Sequence, residues 1–324
     1  MRLTPALVVF TLAPSLACGR PGKEGDGGGL FGDDTGDDGT DIPTLADVPN
    51  AVAYLNNDTQ GRYYTDLAHP GDVCPQGWTH LGGGYNTVAC TSGKPGVVAL
   101  LDETVDGDHY STFDQEGEVC PEGWEYIGGG YNSVACHKAG NEGPPVYIDQ
   151  DTDGNHYGDL PHAGEVCPQG WTHLGGGSYT QACQAPARWA AAYLNNNKAG
   201  VHYDDMENPG EVCPEGWQHV GGGYYTQICA KDGGGAIGTL NKNKDLVHMD
   251  ELDNEGDVCP EGWTYLGGGY ENVACEGAKP GNVLLLNDDV NGVHIDDMDN
   301  PGDVCPDGFG FIGGGYYTIA CADI

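Results

Sequence analysis

The chain has 324 residues, 49 of them acidic and 12 basic, for a formal charge of −37. That balance excludes nucleic acid and anionic membrane surfaces as partners, because both would be repelled, and it favours bound cations, which relieve the self-repulsion. With 56 glycines against five phenylalanines and four methionines, little apolar volume is available for a core, so covalent or metal staples are expected.

In chain order, residues 1–17 read as a secretory signal peptide: Arg2, an apolar run through Leu7, Val8, Val9 and Phe10, then small residues before Cys18. The run is too short to span a bilayer. Ser15-Leu16-Ala17-Cys18-Gly19 resembles a bacterial lipoprotein cleavage site, with Ser15 standing where leucine is usual. The resemblance implies that Cys18 becomes a lipidated first residue and that the membrane is engaged only through this lipid. Ordinary signal-peptidase cleavage after Ala17 predicts the same cut. Of the 13 cysteines, only Cys18 falls outside a regular array, and a thioether-linked lipid accounts for the spare thiol. Residues 18–48 are rich in Gly and Asp and read as a flexible tether, since such a stretch buries too little apolar surface to offset chain entropy.

Residues 49–324 contain six copies of one unit of about 46 residues. Cys74, Cys120, Cys167, Cys213, Cys259 and Cys305 are each followed 16 residues later by Cys90, Cys136, Cys183, Cys229, Cys275 and Cys321. An even count at fixed spacing in a secreted chain implies disulfides, with pairing inside a repeat and pairing across repeats both regular in spacing. Zinc is disfavoured because close Cys-x-x-Cys spacing is missing. Short β-type segments between Gly, Pro and Asn/Asp clusters suggest about four strands per repeat and an all-β fold. Segments such as Val97–Leu101 and Val283–Leu286 are apolar at both parities, so both faces should be covered. Six such repeats point to a six-bladed β-propeller, the alternative being a linear array of small disulfide-stapled β modules.

Each repeat opens on a polar loop. In the third, Asp149, Asp151 and Asp153 occupy positions 1, 3 and 5, Gly154 position 6 and Asp159 position 11; the sixth keeps Asn287, Asp289, Asn291 and Asp297. Alternating oxygens converging on a glycine turn suit a hard cation. The pattern resembles the calcium loops of EF-hand-like and integrin-type propeller repeats, departing from both in its closing carboxylate. The resemblance implies Ca²⁺ bound unevenly, with Asp102 and Asp106 in the second loop and Asn56 and Asp58 in the first as further ligands. The competing reading is a set of Asx-turns in solvated loops. A histidine recurs at His109, His156, His202, His248 and His294, expected to pack its ring at a strand start and bond a loop oxygen.

Repetition gives several equivalent sites and hence avidity. The expected function is a non-enzymatic, lipid-anchored binding or adhesion protein at the outer membrane or cell surface, lectin-like and directed at a glycan or protein. The alternatives are an envelope scaffold or spacer and, less favoured, a secreted hydrolase; no nucleophile elbow, zinc-protease signature or phosphate loop is present. Mass spectrometry of the natively expressed protein is expected to find diacylglycerol on Cys18, and a free Cys18 thiol would refute the lipoprotein reading.

Overall fold

The computed structural model describes residues 49–323 apart from 85, 131, 178, 224, 270 and 316. The expected signal peptide and lipidated Cys18, and the Gly/Asp-rich segment, lie outside the described residues. Among those described, the regular structure is strands and 3₁₀ turns of three or four residues. The first two modules contain β1 (Asn50–Leu55), β2 (Thr79–Gly84), the shared β3 (Thr87–Leu101), β4 (Glu125–Gly130) and β5 (Ser133–Ala139). The third adds β6 (Pro145–Ile148), β7 (Thr172–Gly177) and β8 (Thr180–Gln184), and the fourth β9 (Trp189–Leu194), β10 (Gln218–Gly223) and β11 (Thr226–Asp232). The fifth holds β12 (Ile237–Leu240), β13 (Thr264–Gly268) and β14 (Val273–Glu276), and the sixth β15 (Val283–Leu286), β16 (Phe309–Gly315) and β17 (Thr318–Asp323).

Each module is a three-stranded antiparallel sheet in which the last strand lies between the first and the second, as in β6-β8-β7. The four strands per repeat expected from the sequence are therefore three. The segment Arg62–Thr65 turns instead of extending, because Tyr64 N–H donates back to the Asn56 carbonyl at 2.8 Å and a 3₁₀ turn follows. The sheets are small and separate, apart from the first two modules, which share β3, and no sheet closes into a barrel. The expected six-bladed β-propeller with four-stranded blades is therefore corrected, and the small three-stranded sheets fit the alternative, an array of small disulfide-stapled β modules.

All six disulfides form within a module, from Cys74–Cys90 to Cys305–Cys321. Each ties the turn before the second strand to the central strand, whose cysteine is fully buried. Apolar packing, in contrast, lies between modules. Ala53 and Leu55 of β1 pack with Ile127 and Ala135 of the second module, where Val98 and Leu100 join them. Ala99 and Leu101, on the opposite face of the same strand, pack with Leu174 and Ala182 of the third. The doubly apolar strand segments thus serve two junctions each. Equivalent clusters join modules three to four, four to five and five to six. A sixth cluster joins Leu284 and Leu286 of the last module to Leu81 and Ala89 of the first, so the contacts run in a cycle.

The second and third strands of every module pair through a bulge, at Leu81 in the first and Ile312 in the sixth. The glycine after the bulge has positive φ in each copy, +128° at Gly82 and +146° at Gly313. Gly82 also meets the neighbouring backbone so closely that a Cβ would sit 2.6 Å from the Asp288 carbonyl oxygen. Free edges of first strands are capped across junctions: Leu285 N–H donates to the Tyr54 hydroxyl at 2.9 Å, Leu100 N–H to Tyr147 at 2.7 Å and Tyr147 N–H to Tyr193 at 3.0 Å. Burial pushes the Tyr54 hydroxyl up to about 12, so it stays protonated.

Because each module buries little apolar surface by itself, its disulfide should carry a large share of local stability. Replacing Cys213 and Cys229 together by alanine is expected to cost ~3 kcal/mol, the constraint a loop of this size places on the unfolded chain, measured as a lowered denaturation midpoint.

Candidate functional site

The polar loops leave the ends of the first strands. Leu55 pairs with Val88, and Gly84 with Thr87, so each loop shares an end of its sheet with the two-residue hairpin joining the second and third strands. Within the loop, the oxygen at position 3 organises the turn. Asp151 Oδ1 accepts from Asp153 N–H at 2.9 Å and Asn155 N–H at 2.8 Å. Asp289 does the same toward Asn291 and Val293. Asp58 accepts from Gln60 and Arg62 N–H and is held by the Arg62 side chain, with Nε at 2.7 Å. Burial pushes Asp151 up, but the donors of Asn155, Asp153 and Gly154 outweigh it and hold the carboxyl below its usual range. Position 3 therefore makes the Asx-turns that the competing reading describes.

Asp153, Asp106 and Asn291 at position 5 are exposed, as are Asp159 and Asp297 at position 11. Among the described residues no three His, Cys, Asp or Glu side chains are grouped closely enough to hold a metal ion.

Position 1 behaves differently. The Oδ1 atoms of Asn56, Asp102, Asp149, Asn195, Asn241 and Asn287 are all buried without a hydrogen-bond partner, six of the eight such side-chain atoms among the described residues. Asn241 is 2% and Asp149 8% exposed. Asn and Asp alternate at this position and share only an oxygen, so the environment calls for an acceptor. Burial is the main cause raising the carboxyls of Asp102 and Asp149; the Glu103 charge adds to it for Asp102, and His156 opposes it for Asp149.

The backbone here is fixed by the next module. Asn56 and Asn57 N–H donate to the Gly129 carbonyl at 2.9 and 3.2 Å, and Gly129 N–H returns a bond to Asn57 at 3.0 Å. The same set recurs at every junction, including Asn287 and Asp288 of the last module with Gly83 of the first. The loop is then flanked by the neighbour's residue two beyond its tryptophan. Tyr126 feels the Asp58 charge, and burial with Glu116 and Asp58 pushes its hydroxyl up to about 12. Burial lowers His80 despite Asp289 nearby. At the junction of modules two and three these elements border a cleft of about 550 Å³, with Glu103, Thr104 and Asp106 on one side and Tyr157, His162 and His173 on the other.

The recurrent histidines cap 3₁₀ turns. His156 Nδ1 accepts from Gly158 N–H at 3.0 Å, and its ring lies 4.3 Å from that of Tyr157. The packing follows the sequence expectation, and the backbone N–H two residues on donates to Nδ1. In four copies a side-chain oxygen of that same residue also lies beside it, Ser111 Oγ at 2.9 Å from His109 and the carboxylates of Asp204, Asp250 and Asp296 at 3.5, 3.4 and 3.6 Å from His202, His248 and His294. The tryptophans are half-buried packing residues, as where Trp78 meets His137 edge-on at 5.0 Å. Among the described residues the most exposed tyrosines are Tyr179, Tyr225 and Tyr317 at the hairpin tips, which sequence reasoning passed over. Their signal was position, directly after the residue that follows the glycine triplet.

Compared with protein-family models, curated proteins and solved structures, the chain matches none.

The raised Asp149 carboxyl has a signed consequence. A group whose folded value lies above its unfolded one weakens the fold when ionised, and the penalty disappears as pH falls through the folded value. Asp149→Asn is therefore expected to raise the melting temperature at pH 7 in chelator and to make no difference at pH 3, read by thermal unfolding.

Proposed function

We propose that this chain is an extracytoplasmic, lipid-anchored, non-enzymatic binding protein whose modules are stabilised by calcium and which engages a cell-surface glycan or protein. The six disulfides fit an oxidising compartment outside the cytoplasm. The observation that carries the binding reading is the repetition of one junction geometry, each placing an acidic or amide-rich loop beside a hairpin tip. Equivalent sites multiply affinity by avidity, whereas catalysis needs only one assembled centre. Three tips present a tyrosine, Tyr179, Tyr225 and Tyr317, at 76, 69 and 68% exposure. Each has positive φ, between +59° and +61°, a conformation that a bulky residue adopts at some cost. Such rings offer flat apolar faces to a sugar. Calcium is supported by the buried acceptors at position 1 and by the acidic excess. A spacer role gains less support, because the first and last modules contact each other and leave no open end.

The test is a glycan array probed with the oxidised full chain in calcium and in chelator. Calcium-dependent binding, lowered roughly tenfold or more in a Tyr179→Ala, Tyr225→Ala, Tyr317→Ala triple variant because several contacts act together, is expected. A blank array overturns the glycan version. Failure to retain any protein from an outer-surface extract as well overturns the binding reading.

A further inference from the structure

The side chain at loop position 2 lies over the middle glycine of the next module's triplet at every junction. A Cβ placed on Gly222 would stand 3.2 Å from Gln150 Oε1 and 3.6 Å from Asp149 Oδ1; one on Gly176 would stand 3.0 Å from Glu103 Oε2, and one on Gly83 2.9 Å from Asp288 Oδ2. The missing side chain makes room for the loop's second side chain, and at Gly222 the atoms over the glycine include oxygens from two consecutive loop residues, Asp149 and Gln150. One of these, Asp149 Oδ1, is unpartnered on a side chain that is 92% buried, the complement of its 8% exposure.

The partner of these oxygens is not another side chain. Only 12 basic residues exist, and Arg62 is already engaged by Asp58. The buried Oδ1 atoms also lack surface open to a water molecule. A bare hard cation approaches oxygen to about 2.4 Å, nearer than the ~2.8 Å of a water hydrogen bond.

We propose that the seams whose loop positions 1 and 2 bring at least one carboxylate over the next module's middle glycine are seats for a hard divalent cation. The seams differ in charge. Asp102 with Glu103 brings two carboxylates, Asp149 with Gln150 and Asn287 with Asp288 one each, Asn56 with Asn57 and Asn195 with Asn196 none, and Asn241 is followed by the cation Lys242. Affinity for calcium follows ligand charge, so the seams between modules two and three, three and four, and six and one are filled, and the other three are not. The remaining ligands of a six- to eight-coordinate ion are waters, which the cleft beside Glu103 admits. The seat at Asn287 and Asp288 lies where the last module meets the first, so calcium there fastens the junction that completes the cycle.

This inference rests on the calcium reading above but moves the ion from within a loop to the seam between modules. The two separate cleanly by variant. The chelator-treated full chain is titrated with calcium chloride in a calorimeter. About three ions per chain are expected. Glu103→Gln and Asp288→Asn should each weaken one site by about tenfold. Lys242→Glu should add a site, and Asp106→Asn and Asp153→Asn should leave binding unchanged. If Glu103→Gln, Asp288→Asn and Lys242→Glu bind as the parent does while Asp106→Asn and Asp153→Asn lose ions, the seam assignment falls and calcium within the loops stands. If the parent takes up no calcium, both fall.

Discussion

Three backbone hydrogen bonds at each junction, two donated by the start of a polar loop and one returned by the middle glycine of the next module, hold the rest of the structure in register. They fix the loop where it leaves the first strand, bring the loop's second side chain over the glycine and leave the first side chain's oxygen enclosed. The geometry requires that the receiving strand lack side chains at the point of approach. The first glycine of the triplet adds the positive φ of a bulge, which turns the strand edge toward its neighbour. Cores and loops alike are completed only by the adjoining module.

This explains the division between covalent and non-covalent forces. Inside a module, the disulfide ties the turn before the second strand to the central strand. Between modules, aliphatic side chains on both faces of each sheet provide the packing. A strand such as β3 in its Val98–Leu101 part therefore carries apolar residues at every position, one parity facing each neighbour. Sheets with both faces covered still expose edges, and the phenols of Tyr54, Tyr147 and Tyr193 occupy several of those edge N–H groups. These tyrosines spend their hydroxyls on architecture, while Tyr179, Tyr225 and Tyr317 at the hairpin tips are exposed.

The electrostatics follow the same logic. Carboxylates at loop position 3 are lowered because backbone N–H groups converge on them, and they act as turn builders. Carboxylates at position 1 are raised because burial takes their water away and outweighs the nearby backbone donors, leaving Oδ1 unpartnered. Two acidic positions two residues apart thus have opposite characters, and only the first keeps a buried oxygen without a hydrogen-bond partner. Charge counting along the loop treats them alike.

By itself, the sequence determined much of what lies within one period, although the fourth strand it suggested is a 3₁₀ turn. The phase of the repeat, the all-β character, the disulfide-forming character of the twelve spaced cysteines and the coverage of both faces of Val97–Leu101 follow from spacing and from alternation along a strand, whereas the structure decided that Cys74 pairs with Cys90 inside its module, as do the five equivalents. The Asx-turn of Asp151 entered the sequence reading only as the alternative to a calcium ligand, although it involves neighbours just two and four residues away. The tertiary structure decided what crosses from one period to the next. The order first-third-second sets each loop beside the neighbour's bulge, so Asp149 is enclosed against Gly222 rather than against Asp153. It also brings Asn287 and Asp288 to Gly83, more than two hundred residues earlier. Glycine triplets look the same whether they make a turn, relieve a bulge or receive another backbone, because a missing side chain carries no record of what approaches it.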